Sequence, residues 1–414
     1  MNAASYTSKL AYDTSRRRER TILRWTLLNL FPNSRIWSRL LGFVSFGTGL
    51  GITTFLITAS CALVPSIIFS KYIMRWPSAF NRPQLNDTDA VKKNTSTTEV
   101  GSLTALKTFA ARSQMALQSS GGPDCLAPIL VGHVSLVGPN IPGSYIYTHI
   151  YLFLSRCHYY LTGRIFVDQL TEFCLKKLTK LGEIACLQAR TCRLDDVVDT
   201  FACENKDNDY NVVILGAGYD TRCYRLSSIM GKKNVHLYEV DARGTQRIKR
   251  KALKDSAIQS DHVEFVHCDF ENEDWLVSLQ TQSTFNKEFP TVFVWEGVTM
   301  YLDLQVVYST ISKIAICGDR SCIAFDYMFH ESMNDAARKS AERIGEPWKC
   351  TIDYNEMDNV VAECQKLVAD NKSLLKVLDH LDKSEMKRRY LAQYNDGSYI
   401  GYLEEFGAFC LIGT

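Results

Sequence analysis

Residues 211–226 read NVVILGAGYDTRCYRL. An apolar run entering a glycine-rich turn has the pattern of a strand that delivers the chain to a nucleotide. Gly216 and Gly218 permit a tight bend and close approach of backbone to ligand. The third glycine of the dinucleotide fingerprint is absent, and Thr221 stands near its place. Asp220 puts a negative charge where a pyrophosphate would otherwise meet free N–H groups and a helix dipole. The turn therefore disfavours a diphosphate and suits a ligand with a positive head.

The neighbouring acids agree. Strand candidates Val212–Leu215, Val235–Val240, Val263–His267, Thr291–Trp295 and Cys322–Asp326 alternate with helix-forming sequence from about residue 165 to 330. Such alternation calls for an α/β fold, with a mostly parallel sheet covered by helices on both faces. The tail FGAFCLIG, residues 406–413, reads as a late strand, antiparallel to the rest. Asp241, at the end of the second strand, is placed to take both ribose hydroxyls of a nucleoside. Asp269 follows the third strand, positioned for an adenine amino group, with Phe270 beside the ring. Glu296 follows the fourth, near the amino-acid end of a ligand lying across the strand tips. S-adenosylmethionine has the matching chemistry: an ammonium, a sulfonium and no phosphate. Arg190, in QARTCRLDDVV, could pair its planar guanidinium with that ligand's carboxylate, or form a surface salt bridge with Asp195 or Asp196.

The chain has 414 residues and a formal net charge of +2. That balance argues against a nucleic-acid partner. Fourteen cysteines occur, none in a CxxC pair or with zinc-ligand spacing, so no metal site is expected and the thiols read as buried core groups.

The N-terminal part differs in character. Residues 41–69, LGFVSFGTGLGITTFLITASCALVPSIIF, contain no charged residue and are long enough to cross a bilayer as a helix. Basic residues flank the run at Arg35, Arg39, Lys71 and Arg75. The expected organisation is a basic segment over 1–40, a single transmembrane helix over 41–69, a polar linker over 70–100 and a catalytic domain over 101–414. The basic N-terminus and the sequons at Asn86 and Asn94 favour a domain across the membrane from the cytosol, whereas many unpaired thiols suit the cytosol. An Arg- and Ser-containing, acid-poor start is also compatible with a transit sequence. The side of the membrane and the organelle stay open. The run IPGSYIYTHIYLFLSRCHYYLT, residues 141–162, reads as a core helix or a lid.

Taken in order, SLTALKTFAARS, QARTCRLDD, VVILGAGYDTRCYRL, YEVD, CDF, WEGVTMYL and GEPWK closely resemble the leucine carboxyl methyltransferase-like family, nearest its polyketide O-methyltransferase branch. The resemblance covers about residue 100 to the C-terminus. It implies the seven-stranded Rossmann-like class I methyltransferase sheet, with its last strand antiparallel, and S-adenosylmethionine as cofactor. It also implies that Arg190 binds the cofactor carboxylate, Gly216 and Gly218 line the turn and Asp241 holds the ribose. Asp269 and Phe270 would hold the adenine, Glu296 the amino-acid end, and Asp220 belongs to the same motif. The membrane-like segment lies outside the family pattern. Arg243 and Cys223 replace residues that are commonly proline and alanine there.

Methyl transfer to oxygen is the activity implied, on a carboxylate or hydroxyl of a small molecule or a protein C-terminus. A carboxylate needs no base, whereas a hydroxyl does. Tyr301 and His330 are the candidate groups on the acceptor side, each with a packing or surface role as the alternative. Two rival functions are a non-catalytic cofactor-binding module of the same fold and a nicotinamide-dependent oxidoreductase.

Overall fold

In a computed structural model of the chain, the described residues are 102, 104, 105, 108, 109, 112, 123–131, 133, 134 and 181–414, apart from 334, 345, 369–373, 392–402 and 404–406. The expected span at 41–69, the linker, the basic segment and the 141–162 run lie outside them. Among the described residues no helix is long and apolar enough to cross a membrane.

Seven strands form one sheet: β1 (Tyr210–Leu215), β2 (Val235–Asp241), β3 (Val263–His267), β4 (Thr291–Trp295), β5 (Cys322–Met328), β6 (Lys376–Leu381) and β7 (Gly407–Gly413). Their order is β3-β2-β1-β4-β5-β7-β6. Only β7 runs against the others, pairing antiparallel with both β5 and β6. The expected mixed sheet is thus present, with a sixth strand at its edge that the sequence reading did not mark. β1 and β4 are buried along their whole length, as parallel strands covered on both faces must be.

The chain moves outward from β1 to β2 and β3, then crosses back to β4 on the other side of β1. The crevice between the tips of β1 and β4 is therefore the topological switch point, where open α/β sheets bind ligands. The glycine turn leaves β1 at this crevice.

Alternation along the strands sorts side chains between two cores. Val213, Leu215, Phe293, Trp295, Ile323 and Phe325 face one side, with α5 (Trp275–Gln282), α6 (Leu304–Ser312) and α8 (Met357–Lys366). Val212, Ile214, Val292, Val294, Cys322 and Ala324 face the other, with α2 (Leu181–Glu204) and α4 (Arg243–Asp255). The same face receives α1 (Ala127–Val131) and Phe109. The period of two carries past the end of β4 and along β5, so Glu296 and Asp326 both fall on the α2 face. A small third core joins Ala189 of α2 to Met386 of α9 (Lys383–Tyr390) and to Leu381 and Phe409. Arg193 reaches Asp379 at 2.7 Å, and Tyr390 donates to Asp196 at 2.9 Å, fixing α2 along its length.

The thiols among the described residues are unbridged, and seven of them are buried. No group of three or more metal-ligating side chains occurs among the described residues.

Candidate active site

Gly216 sits at φ 62°, and a Cβ built there would lie 2.4 Å from Val298 Cγ2. The left-handed backbone and the lack of space both require glycine at this point. The next glycine, Gly218, donates its N–H to Asp241 Oδ2. Asp241 Oδ1 accepts from the N–H of Ala242 at 2.6 Å. Burial pushes the Asp241 carboxyl above its ordinary pKa, while these two N–H groups act to lower it. One carboxylate at the end of β2 therefore fixes the shape of the glycine turn at the end of β1. Each of its oxygens keeps a further lone pair for a ligand hydroxyl.

Across the switch point lies a buried network of charges. Arg190 donates from Nε to Glu296 Oε1 and from Nη1 to Asp326 Oδ2, both at 2.9 Å. Arg222 donates to Glu296 Oε2 at 2.6 Å, to Asp195 Oδ1 at 2.9 Å, and to Asp220 Oδ2. The backbone N–H of Arg222 also bonds Asp220 Oδ1 at 2.7 Å, closing a local turn. Arg225 makes a two-pronged contact with Asp195 at 2.6 and 2.7 Å. Asp326 Oδ1 accepts from the Gly297 N–H at 2.6 Å. A Cβ on Gly297 would lie 3.3 Å from the Arg190 guanidinium, so glycine here lets the arginine pass.

Burial opposes charge on Arg190, Glu296 and Asp326, and partners outweigh it at the first two. Arg190 is held above its usual pKa by Asp326 and Glu296. Burial tends to raise the Glu296 carboxyl, but Arg222, Arg190 and Arg112 outweigh it and hold the group well below the usual carboxylate range. The Asp326 carboxyl is pushed up by burial, which Arg190 only partly offsets. Among the described residues, four arginines (112, 190, 222 and 225) meet five carboxylates (Asp124, Asp195, Asp220, Glu296 and Asp326) in this network. One negative charge is left in excess.

A helical strap carrying Thr104, Ala105, Thr108, Phe109 and Arg112 crosses the mouth. Ser102 donates its N–H to Thr245 Oγ1 at 3.1 Å, at the start of α4. Glu346 Oε2 accepts from Ser102 Oγ at 3.2 Å and from the Thr104 N–H at 3.1 Å. Phe109 stacks on Tyr219 with centroids 5.1 Å apart. Ala105 lies over the glycine turn, its methyl 3.5 Å from where a Gly218 Cβ would be. Tyr301 lies beneath this strap, and burial raises its pKa.

Residues 174–315 match the leucine carboxyl methyltransferase family. That stretch holds Arg190, the glycine turn, Asp241, Asp269 and Glu296, on the elements just described.

Curated relatives match part of the chain. YktD of Bacillus subtilis (strain 168), which carries the name of an S-adenosyl-L-methionine-dependent methyltransferase, is 30% identical over 172 residues, covering 39% of this chain and 55% of that protein. A protein of Mycolicibacterium vanbaalenii with the same kind of name is 28% identical over 152 residues, covering 35% and 47%. The chain thus spans about half the length of these curated relatives. Among solved structures, the magnesium protoporphyrin IX methyltransferase of Synechocystis PCC 6803 aligns with a TM-score of 0.34 at 9% identity, over 63% of this chain and 98% of that one. A likeness so distant has no bearing on the site.

The structure brings Gly216, Gly218, Asp220, Asp241, Arg190 and Glu296 to one crevice. Arg190 bridges Glu296 and Asp326 across the strand tips, where a surface bridge to Asp195 or Asp196 was the sequence alternative. Asp220 is taken up by Arg222 and so serves the interior of the site rather than facing its mouth unpaired. Asp269 is exposed and caps its own turn, accepting from the Glu271 N–H at 3.1 Å and from Asn272 Nδ2 at 2.8 Å. Phe270 packs partly buried against the α5–α6 core. His330 is exposed, its Nδ1 3.2 Å from Thr351 Oγ1. Arg222, Asp326 and Arg112 escaped the sequence reading. Asp326 was within its reach, since it lies toward the C-terminal end of a strand, near the level of Asp241 and Glu296.

Proposed function

We propose that the chain is an S-adenosylmethionine-dependent O-methyltransferase whose acceptor group is a carboxylate. The carrying observation is the crevice at the β1–β4 switch point, which combines a glycine turn shaped by Asp241 with a buried network one negative charge in excess. Such a network accommodates a ligand that brings a cation, and it opposes the diphosphate of a nicotinamide dinucleotide. The names of the relatives and of the family point the same way.

The residues present suit the cofactor. Arg190 is nine-tenths buried, and its Nη2 has no hydrogen-bond partner among the described residues, so a donor is available for a ligand carboxylate. Asp241 offers the ribose a fixed acceptor. Gly216 lets backbone approach without a side chain in the way. Bound there, S-adenosylmethionine would supply a methyl group on a sulfonium. The protein's own part is alignment and exclusion of water, tasks suited to a rigid ion-paired wall and to the strap over the mouth.

The choice of a carboxylate rests on the groups near the strap. Tyr301 has a raised pKa and is no base at neutral pH. His330 is exposed and engaged with Thr351. Neither offers a buried base beneath the strap, and a carboxylate acceptor needs none. Incubation with methyl-tritiated S-adenosylmethionine and candidate acceptors tests this. A carboxyl methyl ester releases volatile tritiated methanol in mild base. Labelled product that resists base would instead mark a methyl ether and a hydroxyl acceptor.

The apolar run at 41–69 supports a single-pass membrane tether for this enzyme. A chain beginning at Val100 should leave the membrane pellet and remain in the supernatant. Its continued sedimentation with membranes would contradict the tether. A glycosidase-sensitive mass shift at Asn86 or Asn94 would place the domain in a lumen.

A further inference from the structure

We propose that Arg112, carried by the strap, is a second arginine for the ligand's carboxylate, acting beside Arg190. This rests on the cofactor reading above and names a residue that closes its amino-acid end.

Arg112 is 8% exposed, although it lies on a segment that packs over the outside of the sheet. Its guanidinium enters the charge network without being used up by it. Nη2 donates to the Tyr219 carbonyl at 3.1 Å. Nη1 comes only to 3.6 Å from Glu296 Oε1, and Nε to 3.8 Å from Asp124 Oδ2. Both separations exceed hydrogen-bond length, and Nε is fully buried with no partner. Leaving buried guanidinium donors unpaired costs stability, so a site that keeps them has a use for them.

The geometry says what the use is. Glu296 Oε1 is shared: Arg190 Nε approaches it at 2.9 Å and Arg112 Nη1 at 3.6 Å. Two guanidiniums from different elements, α2 and the strap, therefore converge on one point at the tip of β4. Each has an unused N–H there, Nη2 on Arg190 and Nη1 on Arg112. Planar donors that flank a common point are suited to a small anion with two oxygens, which is a carboxylate. The same strap sets Ala105 over Gly218 and Phe109 against Tyr219, so its position relative to the glycine turn is fixed by packing.

The partners of Arg112 also explain why it need not serve structure alone. Asp124 Oδ1 accepts from the Ala127 N–H at 3.0 Å and from Thr221 Oγ1, while its buried Oδ2 has no hydrogen-bond partner and meets Arg112 Nε only at 3.8 Å. Glu296 is saturated by Arg190 and Arg222. Arg112 adds to the positive charge around Glu296 but gives neither carboxylate a hydrogen bond.

The test compares two ligands on the full chain by calorimetry. S-adenosylhomocysteine carries the amino-acid end, whereas 5′-methylthioadenosine has the same nucleoside without it. Arg112→Ala and Arg112→Lys should each weaken S-adenosylhomocysteine by about 10-fold or more, the effect of losing a charged hydrogen bond, and leave methylthioadenosine within about twofold. The lysine variant keeps charge and stem, so it holds the strap should the alanine variant loosen it. Unchanged S-adenosylhomocysteine affinity would overturn the role of Arg112 while leaving the cofactor reading standing. Equal losses for both ligands in both variants would make Arg112 a strap support and overturn it too. A wild-type protein that binds neither ligand would defeat the cofactor reading and, with it, this proposal.

Discussion

Arg222 donates to Glu296 Oε2 at 2.6 Å from a position with no exposed surface, and the same guanidinium holds Asp220 and Asp195. One side chain thus ties the glycine turn after β1, the loop after β4 and helix α2 into one body. The crevice between β1 and β4 keeps its shape because this arginine is the hydrogen-bond donor to Glu296 Oε2 and Asp220 Oδ2, and shares Asp195 with Arg225. Taking such a group out of water is repaid only while the whole set is present.

Removing the arginine should therefore be severe. Arg222→Met keeps the bulk but strands buried carboxylates, and a loss of about 3–5 kcal/mol of stability is expected. Urea denaturation measures it. A midpoint equal to that of the wild type would show that the network contributes little.

Acid should act through Glu296. Its carboxyl is held below the ordinary glutamate value of 4.5, against the effect of burial, by Arg222, Arg190 and Arg112. The folded state therefore takes up this proton less readily than the unfolded chain. The stability it contributes is present above pH 4.5 and is lost as pH falls below that value. Glu296→Gln should show a flatter decline of stability below pH 4.5 than the wild type. Parallel declines in thermal melts across that window would contradict the assignment.

The ribose end depends on Asp241. Asp241→Ala removes the acceptor for a ligand hydroxyl and leaves the Gly218 and Ala242 N–H groups without their partner. Affinity for S-adenosylhomocysteine and for methylthioadenosine should fall together, by about 1–3 kcal/mol. That joint loss distinguishes Asp241 from Arg112. If affinity holds, the ribose lies elsewhere.

Gly216 admits no side chain. Gly216→Ala would face Val298 Cγ2 at 2.4 Å and impose a left-handed φ on a Cβ-bearing residue. The conformational part alone costs about 1–2 kcal/mol. Adding Val298→Ala removes the clash but not the strain, so the double variant should recover only part of the lost ligand affinity. Full recovery would mean that φ is free to relax, and no recovery that the clash is unimportant.

Much of this was legible in the residues. The apolar runs gave β1 to β5 because fully buried parallel strands need continuous apolar sequence, and the tail gave β7. β6, KVLDHL, alternates exposed and half-buried positions at the sheet edge, so no apolar run announces it. The glycine turn and the acids at successive strand ends could be read because their chemistry follows from local position. The pairing of Arg190 with Glu296 and Asp326 could not be, since it joins residues 106 and 136 positions apart. The same holds for Arg112, which meets Glu296 only because the strap folds back over the mouth. Asp220 misled in a particular way. Its partner, Arg222, stands two positions along the same motif, and a charge read as facing the ligand proved to be satisfied from within.

The central claim is that the β1–β4 crevice receives a cationic, phosphate-free nucleoside ligand. Calorimetric titration of the full chain with S-adenosylhomocysteine and, separately, with NAD measures this directly. The expected result is saturable binding of S-adenosylhomocysteine, weakened on Asp241→Ala, with no heat from NAD. Binding of NAD with none of S-adenosylhomocysteine would contradict it.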